Sequence, residues 1–195
     1  MSEPRQGDWM QTYTGVEFYP FDPRVEDIRI EDIAHSLALQ CRFAGHCRTH
    51  YSVAEHSVRA SRLPYMQLYE TRGFNETPLA VLLHDATEAY LVDLPRPVKR
   101  DRAFAAYKPI ENLLASRIAH AFGLATYALS DDHVIGMADE IMLATEARDV
   151  MGKPPRDWHL AMEPDEERIE PWPWERAERE FLARFEELRK AGSRV

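Results

Sequence analysis

An apolar run in the middle of the chain is followed at once by two ionisable residues. Residues 79–83 (LAVLL) are apolar on every side of a helix, and His84 and Asp85 come directly after them. Thr77 and Pro78 supply an N-cap residue and a proline at the first helical position, so one helix is predicted to run to about residue 92. A helix that is apolar all round belongs in a protein interior. We therefore expect His84 and Asp85 to lie in or beside the core.

The rest of the chain predicts an all-α fold in a single domain, residues 1–195. Apolar residues recur at helical spacing between capping and breaking signals. This pattern predicts five further helices, over about residues 31–43, 53–62, 109–122, 130–150 and 174–190. Residues 9–20 predict a short N-terminal hairpin or irregular strand around Gly15. The Pro-rich segment, residues 152–173, is predicted to be extended and to wrap a core made by about residues 11–150. We interpret the whole as a bundle of about six helices.

Local signals place several of the predicted helix ends. Ser52 and Glu55 form a capping box that opens the second helix. Gly123 is predicted to close the helix that Pro109 opens. In the last helix, four residues at helical spacing predict an inward face: Ala177, Phe181, Phe185 and Leu188. The tryptophans in and after the Pro-rich segment are predicted to anchor it onto the domain or onto another subunit: Trp158, Trp172 and Trp174.

Charge and cysteine content narrow the partners and the compartment. The chain carries 24 Lys and Arg against 33 Asp and Glu, a formal net charge of −9. Such an acidic chain is poorly suited to a nucleic acid polymer, whereas a local cluster of positive groups can still bind one small phosphate. Only Cys41 and Cys47 occur, the N-terminal residues MSEPRQGDWM contain no apolar stretch, and no stretch approaches the length of a membrane span. We therefore expect a cytoplasmic protein with free thiols and no membrane association.

Two histidines and two aspartates form the candidate functional site. His84 and Asp85 would leave one helix about 100° apart and reach a common ion, and Asp139 lies on the apolar face of its own helix. Taken alone, His56 fits an ordinary hydrogen-bonded histidine better than a ligand. The full set is costly to bury without a common partner, and a divalent ion that accepts mixed N/O ligands (Zn, Mn, Fe or Co) satisfies all four. The alternative, a helix whose polar face meets water, is disfavoured by the apolar residues 80–83.

The order His, then His-Asp, then Asp resembles the HD-domain phosphohydrolase superfamily, which are all-helical metal enzymes. The stretches YSVAEHS and HDATEAYLVDLPRPVK are similar to the branch that contains bacterial 5′-deoxynucleotidases. The run from TYTGVEFYPFDP to EDIAHSLALQCRFAGH resembles phage and prophage members of that branch, some of which strip phosphates from dATP. The resemblance covers about residues 11–150. One position departs from the pattern, since Val92 stands where the family often has glycine.

The resemblance implies a metal centre and a catalytic acid. The implied metal ligands are His56, His84, Asp85 and Asp139. Glu88 matches the family's catalytic glutamate, which would act together with the ligand Asp85. Four protein ligands leave room for a water if the ion is five- or six-coordinate. Glu88 could order that water or carry a proton.

Five further residues are predicted to bind substrate. Arg42 matches an arginine that reaches the substrate phosphate or sugar, and Asp93 matches an acid near the sugar hydroxyl. Lys99 could help Arg42 to neutralise phosphate oxygens. Phe43 is a candidate for stacking on a base. His46 is a candidate pocket residue because it comes soon after Arg42 and Phe43 in the sequence. Without the resemblance, a surface ion pair for Arg42 and simple solvation for Lys99 fit better.

These expectations describe a metal-dependent hydrolase that cleaves the 5′-phosphoester of deoxynucleotides. The resemblance implies a dNMP or dNTP substrate, with deoxyadenine nucleotides favoured, in a bacterial or phage-encoded homo-oligomer. One divalent transition metal (Zn, Mn, Co or Fe) is expected, joined by Mg for a triphosphate substrate. Two alternatives stay open, another HD-type hydrolase acting on a cyclic nucleotide or an alarmone, and a non-enzymatic nucleotide sensor. The presence of Glu88 disfavours the sensor, which needs no free carboxylate beside the ion.

Overall fold

The computed structural model describes residues 4–74, 76–125, 128–129 and 133–192. Strands β1 (Met10–Gln11) and β2 (Glu17–Phe18) form an antiparallel pair. Three short 3-10 turns cover Val25–Asp27, Phe43–Gly45 and Arg102–Phe104. The helices are α1 (Ile30–Leu39), α2 (Val53–Ser61), α3 (Pro64–Thr71), α4 (Glu76–Leu83), α5 (Glu88–Leu91), α6 (Arg96–Lys99), α7 (Tyr107–Ala121), α8 (His133–Asp149) and α9 (Trp174–Gly192). The all-α class and the N-terminal hairpin are therefore confirmed. Among the described helices, none has both the length and the hydropathy to span a membrane.

The core is built around α9, which packs against α1, α2 and α4. The predicted inward face of α9 is confirmed, because all four of its residues are buried: Ala177, Phe181, Phe185 and Leu188. Residues 79–83 of α4 are also buried, as their composition predicts. Burying one large apolar side chain contributes about 1.5–3 kcal/mol. Packing of these apolar faces, more than helix propensity, therefore holds the elements that carry the candidate site.

The first helix is shorter than predicted. We expected it to run from residue 31 to 43, but α1 ends at Leu39 and Gln40 is extended. Beyond α1, the backbone pairs with the segment before α2, where Arg42 N donates to Tyr51 O and Val53 N donates to Gln40 O. This pairing is a long-range contact that helical spacing does not reveal. It moves Arg42 off the helix and towards α2.

The predicted central helix is split in two. α4 ends at Leu83, residues 84–87 form a turn with i to i−3 hydrogen bonds, and α5 begins at Glu88. The ring of His84 donates from Nδ1 to Val81 O at 2.7 Å. In a continuous helix this carbonyl would accept from the amide of Asp85. A side chain therefore competes with the backbone where the helix breaks, and the turn carries His84 and Asp85.

Two of the predicted end signals, Ser52 and Gly123, work as expected. Ser52 caps α2, because its side chain accepts from the amide of Glu55. Glu55 does not complete the capping box, since its carboxylate accepts from Arg59 and from the amide of Trp172 instead. Gly123 follows α7 with φ 74°, and the amide of the next residue donates to Ala119 O in a Schellman motif.

Other boundaries differ from the predictions. α3 and α6 were not predicted, and α7 begins at Tyr107, before Pro109. Thr77 lies inside α4, which already includes Glu76. The predicted start of α8 at residues 130–132 lies outside the described residues.

The Pro-rich segment is extended, as predicted, and contains no helix or strand in residues 152–173. Polar contacts tie its C-terminal part to the bundle, since Trp172 N donates to Glu55 at 2.8 Å and Ile169 N donates to Asp149 at 3.0 Å. The Trp172 ring also lies against the guanidinium groups of Arg59 and Arg176. Trp172 is therefore an anchor, as predicted.

Val92 has a backbone conformation that suits glycine. It follows α5 with φ 70° and ψ 146°, and its side chain is largely exposed. We expect Val92→Gly to stabilise the protein by about 1 kcal/mol, because relief of backbone strain of about 1–3 kcal/mol exceeds the added entropy of the unfolded chain. Thermal unfolding measures the difference. Val92→Ala, which keeps Cβ, is the control and should give little gain. A melting temperature of Val92→Gly at or below that of Val92→Ala would contradict the strain argument.

Candidate metal centre

Three separate parts of the fold bring the predicted ligands together. His56 comes from α2, His84 from the turn between α4 and α5, and Asp139 from α8. His56 Nε2 lies 3.3 Å from His84 Nε2 and 3.5 Å from Asp139 Oδ1. One ligand atom from each of the three residues lies within 4.8 Å of the other two, so the group can hold a metal ion.

Asp85 adds a carboxylate oxygen at the same point. Its Oδ2 lies 3.3 Å from His84 Nε2 and 3.7 Å from His56 Nε2. Burial alone would raise the pKa of Asp85, but the neighbouring His84 and other positive groups hold it well below its usual range. Asp85 is therefore ionised. The turn after α4 thus directs both of its ionisable side chains towards the His56 ring.

Hydrogen bonds at the far side of each ring define which nitrogen is free. His84 Nδ1 must donate, because its partner, the Val81 carbonyl, can only accept. His56 Nδ1 donates to the buried carboxylate of Glu146 at 2.6 Å. When Nε2 of each ring carries no proton, as metal binding requires, both rings turn an Nε2 lone pair towards the same space. This arrangement, with a partner behind each imidazole, is the usual one for metal-ligating histidines.

The site strongly favours a positive charge between these side chains. Burial alone would lower the pKa of His84, but the carboxylates of Asp85 and Asp139 outweigh it and raise this pKa to about 9. Without an ion, a proton on His84 Nε2 can bridge to His56 or Asp85. A divalent ion offers more charge to the same ligand atoms.

Glu146 is a site residue that the sequence analysis missed. It is fully buried on α8, where Oε1 accepts from His56 and Oε2 accepts from Arg42 Nε at 3.2 Å. A signal existed, because residue 146 follows Asp139 by seven positions and so lies two turns along the same helix face. The sequence analysis considered only Asp139 on this face of α8 and did not include Glu146.

Arginines balance the acidic ligands. Arg42 is buried, and its Nη1 lies 3.2 Å from Asp85 Oδ2, so the surface ion pair considered from the sequence is wrong. Burial alone would lower the pKa of Arg42, but the surrounding carboxylates raise it well above its usual value. Arg96, which sequence reasoning also missed, donates to Asp139 Oδ2 at 3.0 Å. It stands between two prolines, and no sequence signal links it to the ligands.

A cavity of about 810 Å³ opens beside the ligands and is lined by Asp85 and Asp139. Charged residues of both signs line it. The basic ones are Arg42, Arg96, Lys99, Arg100 and Arg156, and the other acidic ones are Glu88, Asp93 and Asp157. Phe43 and Trp158 supply aromatic surface. The cavity can therefore take a ligand that is both anionic and aromatic.

Glu88 and Lys99 meet at the wall of this cavity. Lys99 Nζ lies 2.8 Å from Glu88 Oε1 and 3.2 Å from Glu111 Oε1. The other oxygen of Glu88, Oε2, is buried and has no hydrogen-bond partner. Burial raises the pKa of Glu88 to about 8, the charge of Asp85 adds to this, and Lys99 opposes it. Glu88 therefore has one unsatisfied oxygen that can accept from, or donate to, a water.

The remaining predicted residues divide into two groups. Arg42, Phe43, Asp93 and Lys99 all line the cavity. Burial raises the pKa of Asp93. The structure does not bring His46 to the cavity, because the residue is exposed and is absent from the lining. The 3-10 turn that replaces the predicted end of α1 directs His46 away. The two cysteines are free, as predicted.

Comparison with known proteins places the chain in a bacterial family. It is 39% identical to the uncharacterized protein YfdR of Escherichia coli over 142 residues, which are 73% of this chain and 72% of YfdR. It is 34% identical to the uncharacterized protein RCAP_rcc00048 of Rhodobacter capsulatus over 148 residues, 74% of each chain. The protein belongs to the same family as YfdR. No family model matches the chain.

Removal of Glu146 tests the support behind His56. We expect Glu146→Ala to weaken metal binding by about 10- to 100-fold, because His56 loses the acceptor that orients its ring. Competition with a chelator of known affinity measures the change. Asp149→Ala is the matched control, since the side chain of Asp149 is also buried on the same helix but accepts from Arg168 and from the amide of Ile169. Equal affinity in the two variants would contradict a supporting role for Glu146.

Metal binding should release a proton. Because the pKa of His84 is raised to about 9, its ring is protonated at neutral pH in the metal-free protein, and an ion must displace that proton. The affinity for Mn²⁺ or Co²⁺ should therefore rise about tenfold per pH unit between roughly pH 7 and 8.5, and level off above pH 9. Calorimetric titration in buffers of different ionisation enthalpy counts the protons released. An affinity independent of pH over this range would contradict the assignment.

Proposed function

We propose that this protein is a metal-dependent nucleotide phosphohydrolase with an HD-type fold. It would cleave the 5′-phosphoester of a deoxynucleotide, releasing a nucleoside with phosphate or polyphosphate. One observation carries the proposal. Two imidazole Nε2 atoms and two aspartate carboxylates converge beside a cavity that presents both cations and aromatic rings. The resemblance to 5′-deoxynucleotidases and phage dATP hydrolases supports the substrate class.

The donor set indicates the class of metal. Two nitrogen and two oxygen donors suit Zn, Mn, Co or Fe better than Mg or Ca, which prefer all-oxygen sites. His56, His84, Asp85 and Asp139 would hold the ion. When bound, such an ion polarises a phosphoryl oxygen and makes a water more acidic. Mg would enter only with the phosphates of a triphosphate substrate.

Glu88 is the proposed acid–base group. Its unsatisfied Oε2 can hold the attacking water or transfer a proton, while Lys99 fixes the other oxygen. Burial is the main cause of the raised pKa of Glu88. As a result, this carboxyl group gains and loses its proton near neutral pH. A group of this kind is suited to proton transfer under physiological conditions.

Cations at the cavity would bind the phosphate oxygens. Arg42 already contacts the candidate ligand Asp85 and the supporting acid Glu146, so it would bridge these two carboxylates and the substrate. Arg100 and Arg156 also line the cavity, and neither forms an ion pair with another described residue. Unpaired guanidinium groups bind phosphate readily. Asp93, which lines the same cavity, is the proposed contact for the sugar hydroxyl.

A substrate panel tests the proposal. Purified protein with Mn²⁺ or Co²⁺ should hydrolyse dAMP or dATP faster than cyclic nucleotides or guanosine tetraphosphate, with products identified by mass. Glu88→Gln should lower kcat by about 100-fold or more without changing metal content. Glu111→Gln is the matched control, because Glu111 also binds Lys99 but does not line the cavity, and it should retain most of the activity.

Three results would overturn the proposal. Preference for a cyclic nucleotide or an alarmone would identify another HD-type hydrolase. Slow and equal product release by wild type and Glu88→Gln would favour a nucleotide sensor. Full activity after complete removal of the metal would exclude a role for the ion.

A further inference from the structure

One aromatic residue of the cavity comes from a part of the chain outside the helical core. Trp158 lies in the Pro-rich segment, lines the cavity, and is 38% exposed. We predicted that it anchors this segment onto the domain or onto another subunit. Among the described residues, Trp158 forms no hydrogen bond and has one aromatic ring neighbour. That neighbour is Phe43, whose ring centroid lies 6.2 Å away at an interplanar angle of 50°. The ring contact that joins Trp158 to the helical core is therefore one that faces the cavity.

Phe43 has a strained backbone conformation and stands next to Arg42, which contacts the candidate ligand Asp85. Phe43 and Ala44 both have positive φ values, 56° and 51°, a conformation that is strained for non-glycine residues. Strain of this kind is often retained at binding sites, where it positions a side chain. The guanidinium carbon of Arg42 lies 5.5 Å from the centre of the Phe43 ring. The aromatic end of the cavity is therefore directly adjacent to its charged end.

Among the described residues, the hydrogen bonds that tie the chain around Trp158 to the rest of the protein lie at its two ends. On one side Arg48 N donates to Val150 O, and on the other Asp165 N donates to Thr145 at 2.8 Å. Residues 152–164 form no hydrogen bond or ion pair with the rest of the described chain. The contact between His159 and Asp157 lies within the segment itself. No hydrogen bond or ion pair of the described chain therefore opposes a small shift of Trp158 relative to Phe43.

We propose that Trp158 is a substrate-binding residue whose ring stacks on one face of the nucleobase, with Phe43 on the opposite face. A planar base between two rings needs parallel faces about 7 Å apart, twice the usual contact distance of about 3.5 Å between carbon atoms. The two ring centroids now lie 6.2 Å apart and the ring planes are tilted by 50°, so the Trp158 ring must turn towards parallel and move slightly away from Phe43 to admit the base. A shift of residues 152–164 would allow both changes. The phosphate would then extend past Arg42 towards the metal ligands.

This inference rests on the proposed function and names the base-binding part of the same site. Stacking of a base on an aromatic side chain accounts for about a 5- to 150-fold change in affinity on substitution by alanine. We therefore expect Trp158→Ala to raise the KM for the preferred deoxynucleotide by such a factor and to leave kcat and metal content nearly unchanged. Trp158→Phe should restore most of the affinity. The KM for 2-deoxyribose 5-phosphate, which has no base, should be the same in wild type and Trp158→Ala.

Trp174→Ala provides the matched control. Trp174 has almost the same exposure, 37% against 38%, but lies at the start of α9 and does not line the cavity. It should leave the KM for the nucleotide unchanged. A loss of affinity for the base-free substrate in Trp158→Ala, or an unchanged KM for the nucleotide, would overturn the assignment of Trp158.

Fluorescence separates this inference from the proposed function. Addition of dAMP to metal-loaded Glu88→Gln protein should quench tryptophan emission, and the double variant with Trp158→Phe should lose most of that quenching. Quenching that depends on Trp158 supports the base site even if no nucleotide in the panel is hydrolysed. If the protein hydrolyses a nucleotide but the quenching is the same with and without Trp158, the assignment of the base site is wrong and the proposed hydrolase activity still stands.

Discussion

The buried carboxylate of Glu146 joins the two halves of the site. One oxygen holds the ring of His56 and the other holds the guanidinium of Arg42, in a place with no access to water. An unpaired charge there would be very costly, so each of the three groups stabilises the others. Arg42 in turn contacts Asp85, which faces both imidazoles. The arrangement of the candidate ligands therefore depends on one acid that is not itself a ligand.

The all-α class and the grouping of the candidate ligands could be predicted because each left a local pattern. The inward residues of α9 repeat at helical spacing, and Gly123 ends α7 in the conformation that only a glycine adopts easily. The candidate ligands stood out as polar residues in apolar surroundings. What failed depended on hydrogen bonds that the spacing of apolar residues does not reveal. The end of α1 is set by pairing with the segment before α2, and the break after Leu83 coincides with a side chain that takes a backbone acceptor.

Glu146 lies in a regular helix and His46 lies in an irregular turn, so only the position of Glu146 could be inferred from the sequence. Glu146 could have been found by continuing the face of Asp139 for two turns, because α8 is a regular helix. His46 was assigned by its closeness to Arg42 in sequence, which has little meaning in an irregular turn. The cavity also gathers five basic side chains in a chain whose formal net charge is −9. The overall charge therefore disfavoured a polyanionic partner but gave no indication of this local concentration of basic residues.

The separation of the ligands along the chain has a consequence for folding. Asp139 lies 83 residues after His56, so an ion bound by both would act as a cross-link that closes a long loop. An ion that binds only the folded state, at a hundred times its dissociation constant, adds about 2.7 kcal/mol to stability. With such a cross-link, the supply of metal would determine the fraction of the protein that survives proteolysis as well as the catalytic rate of each molecule. Starvation for the ion would then lower the protein's cellular abundance.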